Sequence, residues 1–122
     1  MYKRQGSADH TTVGYASKTV SYANAPATGG AKVALGGDGV DHVMVFIKHT
    51  GFEYDSGLGT TANSQGLVVY IETSADLATY AKFTIPAGGA VCIPSITLAA
   101  NCGLWAESAG AATIAVEYAL VL

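Results

Sequence analysis

Apolar and polar residues alternate with period two through much of the chain, and clusters of Gly, Pro, Asn and Asp interrupt the alternation at intervals. Successive side chains on a strand point to opposite faces, so this pattern predicts an all-β sandwich or barrel. The clearest strand is the last. It places Ile114, Val116, Tyr118, Leu120 and Leu122 on a core face and Thr113, Ala115, Glu117 and Ala119 on the other. From Val40 to Thr50, Val43, Val45 and Ile47 share one face while Met44 and Phe46 take the opposite one, so both are apolar. Leu67 to Thr73 repeats the pattern, with Leu67, Val69 and Ile71 opposing Val68 and Tyr70. Strands apolar on both faces belong in a sheet interior or beneath a neighbouring subunit.

Between these two strands, Gly51 to Gly66 is small and polar, which predicts a long loop that is mobile or ordered by a partner. Leu77 to Pro86 reads in two ways. Ser74 would cap a short helix bearing Leu77, Tyr80 and Ala81, yet Leu77, Thr79, Ala81, Phe83 and Ile85 also alternate, and the strand is favoured. Pro86-Ala87-Gly88-Gly89 marks a turn. Ala90 to Leu98 is a strand whose Pro94 points to an edge or a bulge, and Ala99-Ala100-Asn101 is a further turn. Leu104 to Glu107 is short, and Trp105 is expected half-buried at an edge or interface, its indole N–H on an acceptor. Upstream, Thr11 to Ala23 alternates weakly as a bent strand, and Ala31 to Leu35 is a short extended piece between glycine-rich turns. The result is a single-domain β-sandwich or jelly roll of about eight strands over residues 11–122, preceded by a polar, flexible arm, residues 1–10.

Composition changes this picture in one respect. Charged residues make up 12% of the chain against roughly 25% in an ordinary soluble domain. A monomer of this size exposes roughly 6,000 Å², or about one charge per 400 Å². That is close to the apolar patch an isolated protein tolerates. Part of the surface is therefore expected to be covered by other subunits, in a homo-oligomer. The net charge of −3 and the scattered cations argue against nucleic acid as a partner. No apolar run approaches the roughly 20 residues of a membrane span, and the polar start, read as the natural one, lacks a secretory signal. A chain kept in a reducing compartment is expected to hold Cys92 and Cys102 as free, buried thiols, with a disulfide as the alternative.

Candidate chemistry is sparse. Asp9-His10 and Asp41-His42 join carboxylate to imidazole only in sequence, since neighbours on a strand face opposite ways, and His42 and His49 likewise diverge. Surface or rim positions are expected for the histidines, and no metal. Asp38 and Asp55 suit turns better than a calcium loop. No nucleophile elbow occurs, and the paired glycines lack phosphate-loop spacing. No enzyme, cofactor or catalytic residue is expected. Seven tyrosines and Trp105 suit either an interface or a sugar-binding surface, and the interface is preferred. Candidate contacts are Tyr2, Lys3 and Arg4 in the arm, with Met44, Phe46, Tyr54, Tyr80 and Trp105 in the domain.

Leu67-Val68-Val69-Tyr70-Ile71-Glu72, Phe83-Thr84-Ile85-Pro86-Ala87-Gly88-Gly89, Leu104-Trp105-Ala106-Glu107-Ser108-Ala109-Gly110 and the closing strand through Tyr118 resemble the small virion proteins of tailed bacteriophages. These include capsid decoration (cement) proteins and head or tail accessory proteins. The resemblance lies in apolar strands spaced by Ala, Gly, Thr and Ser, and covers roughly residues 40 to 122. It implies a β-sandwich or jelly roll that self-associates, commonly as a trimer, and binds a major capsid protein or another virion protein. Localisation to the virion, after synthesis in the host cytoplasm, is the corresponding expectation. A lectin-like β-sandwich is the alternative. It would gather Trp105, Tyr54 and Tyr80 in one open groove.

Overall fold

The computed structural model describes residues 21–28, 32–36, 41–74 and 79–121, and every regular element among them is a strand. In chain order these are β1 (Ser21–Ala25), β2 (Val33–Gly36), β3 (Asp41–His42), β4 (Met44–His49), β5 (Phe52–Tyr54) and β6 (Leu58–Ala62). There follow β7 (Leu67–Ser74), β8 (Thr79–Ile85), β9 (Ala90–Ile93), β10 (Ile96–Thr97), β11 (Leu104–Ser108) and β12 (Ile114–Val121). The arm 1–10 with Tyr2, Lys3 and Arg4, the alternation over residues 11–20, the Asp38 turn and Leu122 lie outside the described residues.

Eight strands form two four-stranded antiparallel sheets, in the orders β1-β12-β4-β9 and β2-β11-β7-β8. The pairing has a simple logic. Of these eight, the first bonds the last (β1 with β12), the second the seventh (β2 with β11), the third the sixth (β4 with β9) and the fourth the fifth (β7 with β8). One long hairpin rolled on itself makes those four pairs, and the β12–β4 and β11–β7 ladders then complete the two sheets. This is the jelly-roll arrangement of a β-sandwich. The other four strands are short and form two pairs, β3 with β10 and β5 with β6.

The two sheets enclose one apolar core. Val45, Ile47, Ile114 and Val116 come from the first sheet, and Leu67, Val69, Leu104, Ala106 and Ile85 from the second, with Tyr118 and Leu120 packed against them. The alternation read from the closing strand is thus the observed one. Ile47, Leu67, Leu104 and Ile114 are fully buried, each contributing about 1.5–3 kcal/mol from burial. Of the 77–86 segment, Thr79–Ile85 is a strand, and Leu77 lies outside the described residues. Pro94, which cannot donate to a ladder, separates β9 from β10, and β9 is an edge of the first sheet. The chain crosses between the sheets at Pro86–Gly89, where the Gly89 N–H donates to the Pro86 carbonyl (2.8 Å) and Gly88 takes φ +77°. That left-handed position is why glycine stands there.

Four expectations are corrected. Val43 is 57% exposed, not on the core face, because Val40 to Thr50 is two strands bent at Val43. Gly51 to Gly66 is not an unstructured loop: it carries the β5–β6 hairpin, turned at Asp55–Gly57, where Asp55 N–H donates to the Gly57 carbonyl (3.0 Å). His49 is fully buried rather than at the surface or rim. Its Nδ1 accepts from the Gly51 N–H (2.9 Å) and its Nε2–H donates to the Gln65 carbonyl (2.6 Å), so the ring clamps the base of that hairpin as a satisfied neutral imidazole. Cys92 is exposed. Neither it nor the buried Cys102 is in a disulfide.

Candidate interaction faces

Alternation that sends Val45, Ile47, Ile114 and Val116 inward sends their neighbours outward, so each sheet has an outer face of defined composition. On the first sheet, pairing aligns Ala119 with Phe46 and Phe46 with Cys92, and aligns Val121 with Met44. Met44, Phe46 and Ala119 are partly exposed, Cys92 is exposed, and Val43 stands at the rim. One polar row crosses this face: Tyr22, Glu117 and Lys48 lie on adjacent strands. The Tyr22 hydroxyl donates to Glu117 Oε2 (3.1 Å), and Lys48 Nζ lies 3.8 Å from Glu117 Oε1. The bond to Glu117, then burial and the carboxylate's charge, raise the Tyr22 phenol above its ordinary range.

The outer face of the second sheet is built differently. Trp105 pairs with Tyr70, Tyr70 with Lys82, and Glu72 with Tyr80, which sets three aromatic rings on three adjacent strands. Trp105 is half-buried and donates its indole N–H to Glu72 Oε1 (2.6 Å), which also accepts the Gly103 N–H (2.7 Å). Gly103 has no room for a side chain. A Cβ there would meet the Gly36 carbonyl at 2.9 Å and Trp105 Nε1 at 3.4 Å. Tyr70 is buried and donates its hydroxyl to Glu107 Oε2 (2.8 Å), and Lys32 Nζ sits 3.6 Å from Glu107 Oε1. The same ammonium is 4.8 Å from the Tyr70 ring centroid, and that of Lys82 is 6.0 Å away. Tyr80 meets Tyr70 edge to face at 5.1 Å, itself 44% exposed. Burial, followed by the Glu107 bond and charge, pushes the Tyr70 phenol up to about 12.

The candidate contact residues therefore divide. Met44 and Phe46 share the first sheet's outer face, and Tyr80 and Trp105 share the second's. Trp105 is half-buried with its N–H bonded, as the sequence implies, although it stands on an interior strand and not at a sheet edge. Tyr54 joins neither pair. It sits on β5, in the hairpin that runs beside β12 and β1. Sequence reasoning missed Glu72, Glu107 and Lys32, and counted Tyr70 only among the seven tyrosines. The shared parity of Tyr70 and Glu72 in a predicted strand was the available signal, but only strand pairing brings Trp105 and Glu107 beside them. Among the described residues no three His, Cys, Asp or Glu side chains gather to hold a metal ion. No protein-family model matches the chain, and neither a curated protein nor a solved structure matches it.

Proposed function

We propose that this chain is a non-enzymatic structural protein that self-associates through the outer face of its first sheet, as a component of a virion. The observation that carries the reading is the Met44–Phe46–Ala119–Cys92 surface, an apolar patch on a chain of low charge. A solvent-facing sheet normally alternates to polar residues on its open side, whereas β4 places Met44 and Phe46 there. Jelly rolls occur widely in viral capsid proteins and lectins, which supports the virion reading by analogy of fold only. The resemblance to phage decoration proteins points to a trimer on a capsid lattice.

Light scattering at micromolar concentration tests it, with Cys92 as an internal reporter. The parent protein should show a mass that is a multiple of 12.4 kDa and slow alkylation of Cys92. Phe46→Glu should give a folded monomer whose cooperative urea unfolding is independent of protein concentration, with rapid Cys92 alkylation. A parent protein that is monomeric, or a variant that keeps the parent's mass, would overturn the assignment.

A further inference from the structure

We infer that the outer face of the second sheet binds a neutral oligosaccharide, stacked on Trp105 and Tyr80. The first ground is how the rings are held. Glu72 and Glu107 are buried, at 4% and 8% exposure, on a face that looks outward from the sandwich. Taking two carboxylates out of water is costly, and a face meant only for solvent needs no such arrangement. Here the carboxylates bind the polar ends of Trp105 and Tyr70, by the indole N–H and the phenol hydroxyl. With those ends tied down, the rings are fixed in orientation before any ligand arrives, which lowers the ordering cost of binding.

Spacing and charge select the ligand. Trp105, Tyr70 and Tyr80 lie on β11, β7 and β8, so the aromatic row spans two strand spacings, ~10 Å. That reach suits a short chain of rings with apolar C–H faces better than a single small molecule. Among the described residues Lys32 and Lys82 cancel Glu72 and Glu107, leaving the face without net charge, which disfavours both a polyanion and a polycation. Nucleic acid also stacks on aromatic rings, but it needs an excess of cations that this face lacks. Because the carboxylates are buried and already bonded, the exposed Lys82 ammonium and Tyr80 phenol are described groups placed to meet ligand hydroxyls. Lys82 forms no ion pair with any described residue. An uncharged polyol with apolar ring faces fits this inventory, and a pyranose oligosaccharide is that chemistry.

Trp105 is the chain's single tryptophan, so its fluorescence reports the site without a label. The parent protein is titrated with maltohexaose, cellohexaose, chitohexaose and the polyanion tetragalacturonate, and acrylamide quenching is measured alongside. At least one neutral hexasaccharide should give a saturable change with a Kd in the millimolar range or tighter. Tyr80→Ala should weaken it at least tenfold while the variant remains folded and keeps the parent's mass. Phe46→Glu, on the opposite sheet, should bind as the parent does. No saturable change with any neutral sugar up to roughly 10 mM, a response to tetragalacturonate alone, or undiminished binding by Tyr80→Ala would each overturn the inference. So would a Trp105 shielded from acrylamide in the parent and quenched in Phe46→Glu, because a second copy would then cover this face.

Discussion

On the first sheet, the outer side chains of β4 and β12 include Met44, Phe46 and Ala119, and a single row of Tyr22, Glu117 and Lys48 carries its charges near solvent. On the second sheet, the equivalent side chains are Tyr70, Glu72, Trp105 and Glu107, knit together by hydrogen bonds and mostly buried. Both sheets put aliphatic residues into the same core, so the inner faces do not explain the contrast. The difference is between a surface that turns Met44, Phe46 and Ala119 outward and one whose polar groups are satisfied internally. Change on the first should therefore be felt in association, and change on the second in folding.

The largest test of that division is Glu72→Ala. It strips the acceptor from the Trp105 indole and the Gly103 N–H at once. Each buried donor left unsatisfied costs about 1–3 kcal/mol, and water reaching the half-exposed Trp105 recovers part of it, so a net loss of about 2–3 kcal/mol is expected. Urea unfolding measures this directly. A midpoint within experimental error of the parent's would mean that the network adds nothing to the fold, and the contrast between the faces would fail.

Much of the inner architecture is legible in the sequence because period-two alternation and core burial are the same physical fact. Ile114, Val116, Tyr118 and Leu120 are examples, as is the edge position that Pro94 marks for β9, although Pro94 also divides the expected single strand into β9 and β10. The β5–β6 hairpin is not legible. Gly, Ser and Thr dominate it, and its position is set by His49, Asn63 and Thr50, which bond partners from 2 to 65 residues away. His49 shows the same limit. Nothing local distinguishes a surface histidine from one whose two ring nitrogens are both satisfied inside. The apolar face of Met44 and Phe46 could be read directly, whereas the Trp105–Glu72 bond joins residues 33 apart that share neither a motif nor a turn. What sequence leaves out is pairing, and pairing builds the second sheet's outer face.

Alkaline pH offers a second, smaller probe of that face. The Tyr70 phenol is held at about 12 against an ordinary 10.0, chiefly by burial and then by Glu107. Because the folded value is the higher one, the folded state favours the protonated phenol. Its contribution is fully present below pH 10 and is lost as pH rises from 10 through 12. By pH 11 that loss amounts to about 1 kcal/mol. Tyr70→Phe keeps the ring against Tyr80 and removes the titrating group. Its stability should fall less than the parent's between pH 10 and 11, with other tyrosines and lysines supplying the same background in both. Parallel curves for the two proteins would show that Tyr70 is not the group responsible.

The smallest effects come from the two ion pairs, one beside each face, and they make the sharpest version of the comparison. Lys48–Glu117 spans 3.8 Å with side chains 41% and 23% exposed, and Lys32–Glu107 spans 3.6 Å at 28% and 11%. Exposed pairs are worth about 0.2–1 kcal/mol because water screens them and long side chains lose entropy in forming them. Lys48→Met should therefore shift the urea midpoint by less than about 0.5 kcal/mol. It also removes a charge from the apolar face, so light scattering should show tighter self-association. Lys32→Met should cost more, about 1 kcal/mol. It leaves the less accessible Glu107 with only the Tyr70 hydroxyl among the described residues and takes the ammonium off the Tyr70 ring. Its self-association should match the parent's. If Lys48→Met proves the more destabilising, or if Lys32→Met alters the mass in solution, then the two faces do not divide folding from association.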